Sequence, residues 1–237
     1  MTATLPIEKF PALEAVPGIA HAFLGRVPGL DVKVDRAQAL ERLDSFHQAA
    51  RHELGLASHR LILGEQVHGR EVAVVDAGTS VPVAGVDGLI TADAGVCLGV
   101  YVADCCAVYL VELERGVIGL LHSGRKGSEL GIATVAVERM RTEFQCDPAK
   151  IIVQLSPCIR PPHFEIDFTA LIVAQCRAAG VRQIHDCGTC TAAHPDRYYS
   201  YRLERGKTGR MLALLALNAG GAAVRTAKEF DFHAPGA

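Results

Sequence analysis

Across residues 35–54 the apolar side chains Leu40, Leu43, Phe46, Ala50 and Leu54 return at steps of three and four, the spacing that lines up one face of an α-helix. The pattern predicts a helix over that stretch. From Arg60 to Leu121 it changes to short runs of Val, Ile and Leu at 61–63, 72–75, 98–102, 108–111 and 117–121, broken by Gly, Asp and Pro. Such runs predict strands. Helical spacing returns over 127–144, with Leu130, Thr134, Val137 and Met140 on one side, and 151–155 reads as a further strand. Residues 168–179 and 208–218 are expected as helices, the second closed by Gly220 and Gly221. The expected fold class is mixed α/β of the α+β kind, with strands grouped centrally rather than alternating strictly with helices. A regular dinucleotide-binding domain is disfavoured, because Gly116 and Gly119 are not followed by the third glycine of that fingerprint.

No repeat, low-complexity tract or long linker divides the chain, so a single domain over 1–237 is expected. With 49% hydrophobic and 21% charged residues it lies far from the composition of disordered chains. A formal charge of −2 supplies no general field for nucleic acid or an anionic membrane, so a small molecule is the expected partner. No uncharged apolar run reaches the roughly 18 residues of a membrane span; the run 96–103 stops at Asp104. Residues 1–8 show no basic segment followed by an apolar stretch, so export is not expected and the eight cysteines are read as reduced thiols of a cytoplasmic protein. The oligomeric state is left open.

Three short polar segments follow apolar runs: Gln66-Val67-His68-Gly69, Ala103-Asp104-Cys105-Cys106 and His122-Ser123-Gly124. Strand ends of this kind let side chains converge on one cleft while the sheet holds them in place. Two imidazoles and a thiolate suit a tetrahedral zinc site whose fourth position stays open. Each residue read alone is better explained as a packed, hydrogen-bonded side chain than as a ligand, since the spacing matches no short metal motif. Cys187-Gly188-Thr189-Cys190 has the form of a redox or metal pair, but without a thioredoxin-like context or a second pair it is read as a turn with a packed cysteine.

Taken in order, Gln66-Val67-His68-Gly69, Val86-Asp87-Gly88-Leu89-Ile90-Thr91, Ala103-Asp104-Cys105, His122-Ser123-Gly124, Pro157-Cys158-Ile159, Phe164-Glu165-Ile166, Ser200-Tyr201-Arg202 and Thr208-Gly209-Arg210-Met211 resemble the laccase-domain family, the YfiH-type purine nucleoside phosphorylases, across about 19–217. The resemblance implies layered mixed β-sheets flanked by helices, and a Zn2+ site on His68, Cys105 and His122. It implies phosphorolysis of adenosine, inosine, guanosine and methylthioadenosine, and deamination of adenosine, with purine nucleoside and phosphate as partners. Glu165 is the expected acid/base group, and Gln66, Arg26, Arg202 and Arg210 the expected substrate-binding residues. Lys126 joins them as a phosphate contact beside a helix start. Two departures stand out: Arg125-Lys126-Gly127 replaces the family's Trp-Arg-Gly, and Leu203 replaces the second arginine of Ser-Tyr-Arg-Arg.

Copper chemistry on phenols is disfavoured, because none of the ten histidines falls in a His-x-His pair. The same residues support a rival reading: an amide hydrolase acting on peptidoglycan precursors, with Cys105 as nucleophile and His122 as its base. A third is a nucleoside-binding relative without turnover.

Overall fold

The computed structural model describes residues 6–218. In chain order these form β1 (Ile7–Glu8), α1 (Pro11–Glu14), β2 (Ile19–Leu24), α2 (Arg36–Glu53), β3 (Arg60–Leu63), β4 (Val72–Val74), β5 (Gly88–Thr91), β6 (Val96–Val102), β7 (Cys106–Glu112), β8 (Val117–Ser123), α3 (Arg125–Glu129), α4 (Ile132–Phe144), β9 (Ile152–Leu155), α5 (Phe168–Ala178), β10 (Gln183–Asp186) and β11 (Met211–Leu217). The strands make two mixed sheets, ordered β1-β2-β11-β6-β3 and β10-β9-β7-β8-β5-β4. The β3/β6, β4/β5 and β9/β10 pairs are parallel and the others antiparallel.

The sheets face each other across the main core. Phe23, Val100, Met211 and Leu215 of the first sheet meet Leu89, Ala107, Tyr109 and Leu120 of the second. The far face of the first sheet, through Ala22, Leu212 and Leu214, is covered by Ala50 of α2 and by Leu56. That of the second, through Val108, Leu110 and Val153, is covered by Val137 and Met140 of α4 and Ile172 of α5. The expected layering of mixed sheets flanked by helices is therefore what the chain adopts.

The helix predicted over 35–54 is α2, opened by Asp35, whose carboxylate accepts from the Gln38 N–H. The helix predicted over 127–144 is two helices: Gly131, at φ +84°, takes a left-handed conformation that costs glycine little and turns the chain between α3 and α4. The helix predicted over 208–218 is corrected to strand β11. It runs between β2 and β6 with Leu214 opposite both Ala22 and Gly99. Met211, Ala213 and Leu215 point into the inter-sheet core, and Leu212, Leu214 and Ala216 toward α2. A central strand buried on both faces is apolar at every position, so it lacks the alternation that marks a half-buried strand. Gly220 and Gly221 lie outside the described residues.

This architecture places three chain segments at one end of the paired sheets: the loop that leaves β3, the crossover from β6 in the first sheet to β7 in the second, and the end of β8.

Candidate metal centre

Those three segments carry His68, Cys105 and His122, whose ligand atoms all lie within 4.8 Å of one another. Tetrahedral zinc with N and S donors at about 2.0–2.3 Å needs donors roughly 3.3–3.6 Å apart, so a small closure around an ion suffices. Two imidazoles and a thiol form a donor set that can hold a metal ion and leave a coordination position open.

Asp87 organises the group from beneath. Its side chain is fully buried and accepts the backbone N–H groups of Val67, His68 and Gly69 at 3.1, 2.9 and 2.7 Å. It also binds His122 Nδ1 at 2.8 Å. Because a carboxylate only accepts, Nδ1 carries the proton and the Nε2 lone pair is left for the centre. The turn it grips contains Gln66 at φ +62° and His68 at φ +60°, a region that non-glycine residues seldom enter. The Gln66 amide fixes the start of that turn, donating to the Tyr101 carbonyl at 2.6 Å and accepting from its N–H at 3.0 Å.

Cys105 follows Asp104, itself at φ +79°. The Asp104 carboxylate accepts from Thr191 Oγ1 at 2.6 Å, Ser200 Oγ at 3.0 Å and the Arg202 N–H at 2.8 Å, so the crossover is tied to the segment carrying Tyr201 and Arg202. On the other side Gly124 leaves no room for a side chain: a Cβ there would lie 2.6 Å from Cys105 Sγ. Burial pushes the Cys105 thiol up, but the charge of His122 and hydrogen bonds from His122 and His68 outweigh it and bring the pKa down to about 6. Burial pulls His122 down, yet the Cys105 thiolate and Asp87 raise it to about 9. Without metal, the pair is a thiolate beside an imidazolium at neutral pH.

The triad opens into a cavity of about 660 Å³ bordered by the aromatic rings of Tyr101, Phe164, Phe168 and Tyr201 and by five arginines, Arg36, Arg125, Arg202, Arg205 and Arg210. Of the residues expected from sequence, Gln66, His68, Cys105, His122, Arg202 and Arg210 border it. Arg26 does not; its guanidinium pairs with Glu204 at 2.7 Å and lies 4.4 Å from the Tyr199 ring centroid. Lys126 is exposed on α3 and outside the lining, where its neighbour Arg125 takes part. Glu165 is exposed, paired with Arg202 and outside the lining. A hydrogen bond from its own backbone and one from Arg202 hold its carboxyl below the usual range, so it is ionised at neutral pH and a poor proton donor. Cys187 and Cys190 also stand apart from the cavity lining, and burial pushes the Cys187 thiol up to about 11. Sequence reasoning assigned no role to Asp87 or Asp104, although both sit inside the matched segments; Asp87 just before Gly88, and Asp104 just before the ligand Cys105, were the available signal.

A family model described as multi-copper polyphenol oxidoreductase laccase matches residues 27–169 and 164–218. The chain belongs to that family. Purine nucleoside phosphorylase ORF3 of Streptomyces griseus is 33% identical to this laccase-family chain over 199 residues, 72% of the chain and 79% of the relative. A purine nucleoside phosphorylase of Deinococcus radiodurans is 31% identical over 251 residues, 92% and 95% of the two. Among solved structures, YlmD of Geobacillus stearothermophilus superposes with a TM-score of 0.75 at 26% identity, covering 88% of this chain and 94% of that one. YfiH of Bacillus licheniformis shares the fold with a TM-score of 0.79 at 20% identity, covering 90% and 99%.

Proposed function

We propose that this laccase-family chain is a cytoplasmic zinc enzyme that phosphorolyses purine nucleosides and also deaminates adenosine. The observation that carries the reading is one cavity that joins the His68/Cys105/His122 group to arginines and aromatic walls; the names of its relatives supply the substrate class. In phosphorolysis an oxygen of phosphate bonds to C1′ of the ribose as the bond from C1′ to the purine nitrogen breaks. The products are ribose 1-phosphate and the free base.

The arginines that border the cavity offer the phosphate dianion a planar guanidinium fork, its best match among side chains. Tyr101, Phe164 and Tyr201 offer flat faces to the purine. Asp87 keeps His122 in one tautomer and His68 in one turn conformation, so the donors are in position before substrate arrives. His68, Cys105 and His122 would hold zinc, which when bound would supply a Lewis acid for a phosphate or water oxygen. In deamination a water adds to C6 of adenosine and ammonia leaves, giving inosine.

The test is metal analysis of the purified protein together with chromatography of adenosine, with and without phosphate. Adenine and ribose 1-phosphate should form only with phosphate, and inosine with or without it. A fully metal-loaded protein that forms neither product refutes the proposal.

One observation favours a second reading. Cys105, His122 and Asp87 are linked in the order of a nucleophile, its base and an orienting acid, and the thiol is already acidic. Such a chain suits hydrolysis of an amide through a thioester. Amide cleavage that survives chelation and stops on thiol alkylation would select it over the zinc enzyme.

A further inference from the structure

Two of the five arginines that border the cavity are matched by carboxylates: Arg125 with Glu129 and Arg202 with Glu165. The other three, Arg36, Arg205 and Arg210, have no carboxylate within ion-pair distance among the described residues. They arrive from separate parts of the fold. Arg36 opens α2, Arg205 sits at φ +52° in the loop before β11, and Arg210 immediately precedes β11. The Arg210 side chain is half-buried and aimed by its own Nη1, which donates to the carbonyls of Thr208 at 2.8 Å and Gly209 at 2.9 Å. Its guanidinium lies 5.9 Å from the centroid of the Tyr201 ring. Burial, and then the charge of Arg36, hold its pKa below the usual value, which places the two guanidiniums within each other's field.

The acidic groups nearby are engaged elsewhere. Asp44, which shares the field at Tyr101 with Arg36, accepts from the Gln48 amide. Asp35 turns its carboxylate to the N–H of Gln38, and Asp104 uses its own on Thr191, Ser200 and the Arg202 backbone. Like charges that face a shared cavity without a counter-charge repel each other until an anion lies between them, and guanidiniums on separate elements gain most from an anion with several oxygens.

We infer that Arg36, Arg205 and Arg210 form a subsite for a phosphate-class dianion on the Tyr101 and Tyr201 side of the cavity. The biological occupant rests on the proposed phosphorolysis; the chemistry of the subsite does not. Two sources carry that chemistry, the free orthophosphate consumed in phosphorolysis and the 5′-phosphate ester of a nucleotide. Arg36 and Arg205 are residues that neither the matched motifs nor the spacing singled out.

The experiment uses the full metal-loaded chain, with titration calorimetry at fixed ionic strength and each compound added alone, so that no turnover occurs. Orthophosphate, inosine and inosine 5′-monophosphate are each titrated into wild type, Arg36→Gln and Arg205→Gln, with melting temperatures as the control for folding. Each variant is expected to bind orthophosphate about tenfold more weakly, the loss of one charge-assisted contact, while inosine binding and melting temperature hold. Arg36→Lys should recover only part of the loss, because an ammonium keeps the charge without the fork. If orthophosphate is unaffected but the 5′-monophosphate loses its advantage over inosine, the subsite stands and its occupant is the ester. Unchanged binding of both phosphate species, or equal losses for inosine and its 5′-phosphate, overturns the subsite. Arginine-dependent phosphate binding in a protein with no phosphorolysis would leave the subsite intact and refute the proposed function instead.

Discussion

Replacing Asp87 with Asn is nearly isosteric, so its effect isolates charge and hydrogen bonding from packing. In the wild type one carboxylate oxygen accepts from the His68 N–H at 2.9 Å and His122 Nδ1 at 2.8 Å, and the other from Val67 and Gly69 at 3.1 and 2.7 Å. An amide has one oxygen. Whichever way it turns, its NH2 group faces two donors, and two charge-assisted bonds of about 1.5–3 kcal/mol each are lost. Breaking a buried charged pair on one side costs about 3–5 kcal/mol in general, in line with that sum. Against a net stability of about 5–15 kcal/mol the variant stays folded but is markedly weakened. Metal affinity should fall about 10- to 100-fold as His122 loses its orienting partner. Urea unfolding of the metal-free proteins and zinc competition against a chromophoric chelator measure the two effects. Burial pushes the Asp87 carboxyl up, but His122 and the Gly69 and His68 N–H groups bring it below its ordinary 3.8. A depressed carboxyl stabilises the fold above its unfolded pKa and loses that contribution as pH falls through the folded value, so the gap between wild type and variant should narrow in acid. A variant within about 1 kcal/mol of wild type, with unchanged zinc affinity, would refute the role assigned to Asp87.

In the metal-free protein Cys105, with its pKa at about 6, should alkylate with iodoacetamide at a rate that levels off above pH 7. Cys97, Cys146 and Cys176, pushed up to about 12 by burial, should stay unmodified on peptide mapping. Between pH 6.5 and 9 the Cys105 shift, down from 9.0, adds stability as pH rises while the His122 shift, up from 6.5 to about 9, removes it. Metal-free stability should therefore be nearly flat across that window, and a steep slope in urea unfolding would count against the thiolate–imidazolium pair. Gly124→Ala puts a Cβ 2.6 Å from Cys105 Sγ, so the thiol must move; zinc occupancy by mass spectrometry should fall severalfold with little loss of secondary structure by circular dichroism. Lys126→Ala should leave the phosphate KM within about twofold of wild type, because the side chain stands outside the cavity lining; a tenfold rise would place it in the site.

Local periodicity was enough for α2, α5 and most strands of the second sheet, where one helical stripe or a short Val/Ile run bounded by Gly or Asp allows a single assignment. It failed at β11, because Met211-Leu212-Ala213-Leu214-Leu215-Ala216-Leu217 is apolar on both faces and built from good helix formers. Only the neighbouring strands, distant in sequence, make that run extended. The helix over 127–144 concealed a break at Gly131, since a single glycine inside a periodic stretch reads equally as a tolerated weak position. At the site, His68, Cys105 and His122 were legible because each follows an apolar run and falls in a matched segment. The arginines were not separable: Arg26 and Arg202 look alike in sequence and each pairs with a glutamate, and what distinguishes them is that only Arg202 borders the cavity.

The three donors also span the layers. His68 lies on the chain that crosses from β3 of the first sheet to β4 of the second, Cys105 on the chain that crosses from β6 to β7, and His122 at the end of β8 in the second sheet. An ion held by all three acts as a rivet through both sheets, so any sliding of one layer over the other stretches its bonds. Coupling of this kind is reciprocal: loading the centre damps the shear between layers, and loosening the layers weakens the hold on the ion. Tyr109 of β7, whose hydroxyl donates to the Ala22 carbonyl of β2 at 2.8 Å, is one of the bonds that pins the two layers together without touching a ligand.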